Sequence, residues 1–260
     1  MKKFGLTDPL YLSFYSKAVY RDVVRYWKGA GLFYLFSLVA LCTISGMVKL
    51  DGQLTSFVGG EAPAYVKQLP TLTISKGRLS LPENRPYFIN DPESGQTVAV
   101  IDTSGQIPTL DQTQARILVT STQLIMKTSA EPLVLQLSQL EDAVLDHQKI
   151  FALLDFLSDW LAILFYPIAL IMNFLYRLAQ LLIFSLLAVS CARLMKLALG
   201  FKAIMRLTAI ALTPMIVMNT LASFFGLGMP FEWALYISLA AGYILFGVRA
   251  VQEEQKTITA

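Results

Sequence analysis

The residues that could carry chemistry are few, and most of them stand inside apolar sequence. Asp155 and Asp159 are four positions apart, which sets two carboxylates on one face of a helix. Arg177 follows in the middle of hydrophobic residues. Ionisable groups embedded in a span mark ion or proton pathways, so this trio is a candidate polar site. Asn173 and Asn219 belong to the same set, because Pro167 and Pro214 precede them by six and five residues. A proline with a polar residue nearby is how discontinuous transporter helices are built. A plainer account is also open: interfacial carboxylates, a snorkelling arginine or a structural ion pair, and prolines of the kind membrane helices ordinarily tolerate.

Familiar catalytic constellations are missing from the sequence. His147 is the sole histidine, so neither a histidine-based triad nor a zinc site of several histidines can be assembled. Cys42 and Cys191 both fall in apolar stretches, where a buried thiol needs no further explanation and no disulfide framework arises. Asp102-Thr103-Ser104-Gly105 resembles the aspartic-protease signature, but that chemistry needs two carboxylates sharing a proton and the sequence holds no second copy. No phosphate-cradling glycine loop and no metalloprotease motif is present. These absences predict a non-enzymatic protein with no cofactor, no metal and no nucleotide.

The elements that must position these residues are set by hydrophobicity. The chain is 55% hydrophobic and 15% charged, with a net charge of +3, against about 25% charged residues in soluble domains. Residues 151–195 are almost wholly apolar; as one helix they would extend roughly 67 Å, over twice a bilayer's hydrocarbon core. The N-terminal segment carries Lys2, Lys3, Lys17, Arg21, Arg25 and Lys28 against two acids, and Arg193, Lys196, Lys202 and Arg206 form a second basic cluster without acids. The positive-inside rule places both on the cytoplasmic side. Residues 29–48 take the chain out once, so residues 151–195 must return it with one crossing and have length to spare. Between Lys49 and Lys149 eight basic and eleven acidic residues leave a net of −3, which gives nucleic acid no basic face.

The fold class predicted is a polytopic α-helical membrane protein with four complete crossings, one extra surface or re-entrant helix over residues 156–174, and a small extracytoplasmic β-rich domain. Residues 1–28 form a cytoplasmic amphipathic helix lying in the headgroup layer. There Lys17, Arg21, Arg25, Trp27 and Lys28 act as interfacial anchors, as Trp160 and Trp233 do elsewhere. Residues 49–150 are the outer domain, with alternating runs at 71–75, 78–81, 87–89, 97–101, 116–120, 123–127 and 133–137 reading as strands. Residues 139–148 should start the helix that leads back. Residues 151–249 form the helical membrane domain, broken at Pro167 and Pro214, and the tail 250–260 is cytoplasmic and frayed.

This layout resembles a bacterial inner-membrane family catalogued as domain of unknown function 1189. The resemblance rests on the basic start from Tyr11 to Trp27, the single span, and Val98-Ala99-Val100-Ile101-Asp102-Thr103. It rests also on the Arg177-bearing segment ending at Arg193 to Lys196, and on Arg206-Leu207-Thr208 leading to Pro214. It implies four or five membrane segments, a bacterial cytoplasmic membrane and no established activity; it brings no catalytic residues. A Thr- and Gln-rich outer domain departs from the commoner Gram-positive form. The expected partners are membrane lipid and other envelope proteins. An accessory, scaffold or regulatory subunit is the leading expectation, with a small transporter or lipid-handling protein as the alternative.

Overall fold

The computed structural model describes residues 3–128, 131–228 and 230–259; Lys2 of the basic N-terminal set lies outside them. In chain order the helices are α1 (Pro9–Leu12), α2 (Lys17–Tyr26), α3 (Ala30–Gly60), α4 (Ala62–Val66), α5 (His147–Leu194), α6 (Phe201–Ala211), α7 (Thr213–Phe224) and α8 (Glu232–Thr259). Four segments among the described residues are long and apolar enough to cross a bilayer: Ala30–Gly60, His147–Leu194, Phe201–Phe224 and Glu232–Thr257. Only 22% of the apolar window of His147–Leu194 is buried by protein, so the rest of that surface needs lipid to cover it. The chain is a multi-pass membrane protein. It forms two compact units, one made of Met1–Leu50 with Ala162–Ala260 and the other of Asp51–Leu161.

The helical unit is organised around Tyr20, Leu35, Leu181, Leu207, Ile210 and Ile244, all fully buried in one cluster. Its N-terminal part departs from the sequence expectation. Residues 9–28 form two short helices instead of one, and α2 is packed against α6 and α8. Val19, Tyr20 and Val23 are the reason, since each apolar side chain removed from water contributes roughly 1.5–3 kcal/mol. Gly247 on α8 makes the approach possible: a Cβ there would lie 2.6 Å from Tyr20 Cδ1. The Tyr20 hydroxyl donates to the Ser13 carbonyl at 2.7 Å, and burial raises its pKa well above the usual phenol range.

The cationic face of α2 also meets protein, while staying partly exposed. Lys17 and Arg21 meet Glu253 at 2.7 and 3.3 Å, Arg25 meets Glu254 at 3.2 Å, and Arg21 Nε donates to the Ala250 carbonyl at 2.8 Å. Trp27 is 1% exposed and donates its indole N–H to Asp22 Oδ2 at 3.1 Å. Lys17, Arg21 and Arg25 therefore tie the N-terminus to α8, and Trp27 is tied to α2 itself. The same pairing explains why α8 stays helical to Thr259 instead of fraying after Arg249. Trp160 and Trp233 are exposed on α5 and α8, and Lys28 is exposed just after α2.

Two helix expectations also change. Pro167 lies inside α5, which runs unbroken from His147 to Leu194, so residues 156–174 make no separate surface or re-entrant element. A proline removes one backbone bond, and in apolar surroundings the neighbouring peptide groups satisfy themselves best by continuing the helix. The first apolar helix does not stop at Val48 but continues as α3 to Gly60. At Pro214 the helix assignment is interrupted: Leu212 separates α6 from α7, while Leu212 N–H to Thr208 O and Ile216 N–H to Leu212 O, both 2.9 Å, keep the two pieces in sequence.

The second unit carries two sheets. Strands β1 (Leu72–Ser75), β2 (Arg78–Ser80), β3 (Tyr87–Asn90), β4 (Thr97–Asp102), β5 (Ile117–Thr120), β6 (Gln123–Met126), β7 (Leu133–Gln136) and β8 (Ala143–Leu145) pair in the orders β2-β1-β8 and β3-β4-β5-β6-β7. Lys76 and Gly77 both have positive φ, as a two-residue β1–β2 hairpin demands, and a Cβ on Gly77 would sit 2.6 Å from Ser138 Cα. Strand β8 occupies part of the segment expected to begin the returning helix, which starts instead at His147. Alternation is weak in residues 139–148, and pairing with β1 overrides it. Strand β7 is an edge, bonded to β6 on one side only. Its Leu133, Val134 and Leu135 are 46%, 45% and 43% exposed, so neither face of the strand is covered.

Candidate functional site

Three of the residues singled out from sequence converge in the helical unit. Arg177 and Asn173 on α5, and Asn219 on α7, line one cavity of about 170 Å³ whose third wall is α3. That is room for a small ion or a few waters. On α3, Cys42, Ser45, Gly46 and Lys49 follow the i, i+3, i+4, i+7 spacing of a single helix face, and this face is the wall. On α5 the spacing of Asn173 and Arg177 is four, and on α7 Asn219 and Ser223 repeat it.

The α3–α5–α7 frame is held by side chains that cross it. Tyr34 on α3 shares a 2.8 Å hydrogen bond with Thr213 at the start of α7, and the Tyr166 hydroxyl donates to the Ala40 carbonyl at 3.2 Å. Hydroxyls inside the cavity are already directed to their own helices: Thr43 donates to Val39 O at 2.8 Å and Thr220 to Ile216 O at 2.9 Å. Arg177 Nη1 donates to Gln180 Oε1 at 2.7 Å, and its guanidinium stands 5.4 Å from the centre of the Tyr176 ring. Lys49 Nζ donates to the Ser223 carbonyl at 2.6 Å, capping the last turn of α7 with a cation where the helix dipole favours one. No carboxylate lines the cavity. Two cations and two carboxamides make a lining that attracts anions and repels cations.

The two carboxylates of the candidate set, for which an interfacial position is the plainer account, do not line this cavity. Asp155 and Asp159 belong to the strand-bearing unit and are both exposed on α5. Neither is buried beside Arg177, so the three do not form a buried charge trio. Lys49 was missed because it stood at the edge of the apolar run and read as the first residue outside it. The helical spacing from Cys42 was the signal that could have found it.

Remaining reactive types are accounted for locally. His147 Nε2 lies 2.8 Å from the Leu69 carbonyl. Asp102 is buried, which raises its pKa, but hydrogen bonds from the Ser104 hydroxyl and from the Ile107 and Ser104 backbone N–H groups outweigh this and hold the carboxyl below its ordinary range. It organises the turn after β4. Among the described residues no group of three His, Cys, Asp or Glu side chains could hold a metal ion.

The family model described as a protein of unknown function (DUF1189) matches residues 8–248. The chain belongs to the DUF1189 family. That match spans α1 to most of α8, including every wall of the α3–α5–α7 cavity and the whole strand-bearing unit. No curated protein and no solved structure matches the chain.

Proposed function

We propose that this DUF1189 chain is a non-enzymatic accessory subunit of a bacterial cytoplasmic membrane, and that its strand-bearing unit engages a partner protein by strand addition at β7. In this reading the chain crosses the bilayer four times with both termini cytoplasmic, and residues 51–161 are extracytoplasmic. The basic clusters before α3 and between α5 and α6 support that orientation. The observation that carries the proposal is β7. Edge strands of soluble domains are usually blunted by charge, proline or cover. Here three consecutive apolar residues stand exposed on an edge with one unpaired side. Free backbone groups would provide affinity and the exposed side chains selectivity.

The test is a photo-crosslinking residue at Val134 in the full chain, activated in native membranes. One protein adduct of defined mass is expected, and Leu133→Lys with Leu135→Lys should remove it at unchanged protein level. Adducts to lipid alone, or a ladder of unrelated masses, would sink the proposal.

A second reading rests on the α3–α5–α7 cavity. Its two cations and absent carboxylates favour handling of a small anion or an anionic headgroup within the helical unit, with Arg177, Lys49, Asn173 and Asn219 as the contacts. Asp155 and Asp159 have no place in it.

A further inference from the structure

A second concave site in the helical unit has a different character. It encloses about 650 Å³ where the start of α3 meets α5 and α6, and Lys28, Lys202 and Arg206 stand around it with no carboxylate among the lining residues. Its other walls are Leu32, Leu181 and Met205. Lys28 belongs to the basic segment before α3, and Lys202 and Arg206 lie in α6, whereas Leu181 is twelve residues before Arg193 on α5, roughly 18 Å along the helix. The pocket thus joins a cationic rim to an apolar interior. Its floor is set by Gly31, where a Cβ would meet Arg206 Cγ at 3.0 Å and Arg206 Cα at 3.3 Å, so α3 and α6 touch backbone to side chain.

The charge at the rim is under-satisfied. Arg206 Nη2 donates to the Val24 carbonyl at 2.8 Å, but its buried Nε–H has no partner among the described residues. Asp22, the nearest acid in sequence to Lys28, is engaged by the Lys3 backbone N–H at 2.9 Å and by the Trp27 indole. Glu253 and Glu254 are held by the cations of α2. A free phosphate would find the charge but leave the apolar walls without a partner. A zwitterionic lipid would bring an ammonium to a rim of three cations.

We infer that this pocket binds an anionic phospholipid, its phosphodiester held by Lys28, Lys202 and Arg206 and its acyl chain laid along Leu32 and Met205. Basic recesses between membrane helices are a known means of selecting anionic headgroups. The inference is independent of the β7 proposal and uses neither Arg177 nor Lys49.

The test is native mass spectrometry of the full chain released from mixed phosphatidylglycerol–phosphatidylcholine nanodiscs. The intact protein should retain phosphatidylglycerol in preference to phosphatidylcholine by about tenfold or more. Lys28→Gln with Lys202→Gln, two exposed positions whose loss leaves the core intact, should reduce that retention about 30-fold. Leu32→Glu, which changes the wall rather than the rim, should do the same, and Lys49→Gln should leave retention unchanged. Millimolar glycerol phosphate should fail to displace the lipid; displacement would assign the site to free phosphate and overturn the lipid inference. Equal retention of the two lipids, or retention unaffected by the double variant and by Leu32→Glu, would overturn it as well.

Discussion

The two basic recesses of the helical unit differ in how their charges are met, and the difference separates structure from recognition. In the α3–α5–α7 cavity each cation already has a partner within the protein, Gln180 for Arg177 and the Ser223 carbonyl for Lys49. The space left is about 170 Å³ and polar hydroxyls around it are turned to their own backbones. In the α3–α5–α6 pocket one arginine hydrogen bond to Val24 serves a rim of three cations, and the space is about 650 Å³ with apolar walls. A charge that is internally satisfied can attract a transient ion with little rearrangement. A rim of unsatisfied charge over an apolar interior needs a ligand with both properties. The second recess is therefore the one for which a lipid is proposed, and the first offers a lipid's apolar part no comparable wall.

Filling the floor of the second recess should have the largest effect. Gly31→Leu would drive a side chain into Arg206, where even a Cβ sits 3.0 Å from Cγ. Overpacking of this kind costs about 1–3 kcal/mol. The thermal midpoint should fall, and phosphatidylglycerol retention should be lost, because α3 and α6 separate at the rim. Cys42, on the other recess, should keep its wild-type reactivity. A variant that retained lipid and stability would show that the Gly31–Arg206 contact does not shape the pocket, and the contrast between the recesses would lose its basis.

The first recess offers its own probe, since Cys42 lines it. In a Cys191→Ser background, Cys42 should react with an anionic thiosulfonate about tenfold faster than with a cationic one, the scale on which clefts of one charge sign concentrate counter-ions. Arg177→Gln with Lys49→Gln should bring the two rates together while phosphatidylglycerol retention stays as in the parent. Faster reaction with the cationic reagent would mean that the cavity's potential is set by groups other than its two lining cations.

Much of this contrast could be anticipated from residue order, and the unreadable part has a definable cause. Hydrophobic length located all four apolar segments, and alternation located seven of the strands, because both signals come from neighbours in sequence. Arg177, Asn173 and Asn219 were recognised as polar residues in apolar surroundings, but their meeting with Lys49 depends on three helices and no local pattern encodes it. The protein partners of Lys17, Arg21 and Arg25 were unreadable for a related reason. A basic amphipathic helix looks alike whether its cations face phosphate or carboxylates more than two hundred positions away, here Glu253 and Glu254. Pro167 misleads because proline reports a missing hydrogen bond, not the apolar setting that makes continuation the better outcome.

The smallest effect should come from that pairing of α2 with α8. Lys17, Arg21 and Arg25 are partly exposed, as are Glu253 and Glu254, so the ion pairs are weakened by solvent and salt. Glu253→Gln with Glu254→Gln should lower the thermal midpoint only slightly, with the deficit vanishing in high salt. The apolar contacts of Val19, Tyr20 and Val23 hold α2 in place without help from the charges. Removing the two acids frees three cations on α2 beside a rim that is already basic. Total anionic lipid retained should then rise slightly, by less than twofold, while the fraction sensitive to Lys28→Gln with Lys202→Gln stays constant. A large rise insensitive to those lysines would mean that α2, not the α3–α5–α6 pocket, is the lipid-binding surface, and that the two carboxylates normally occupy the site a headgroup would take.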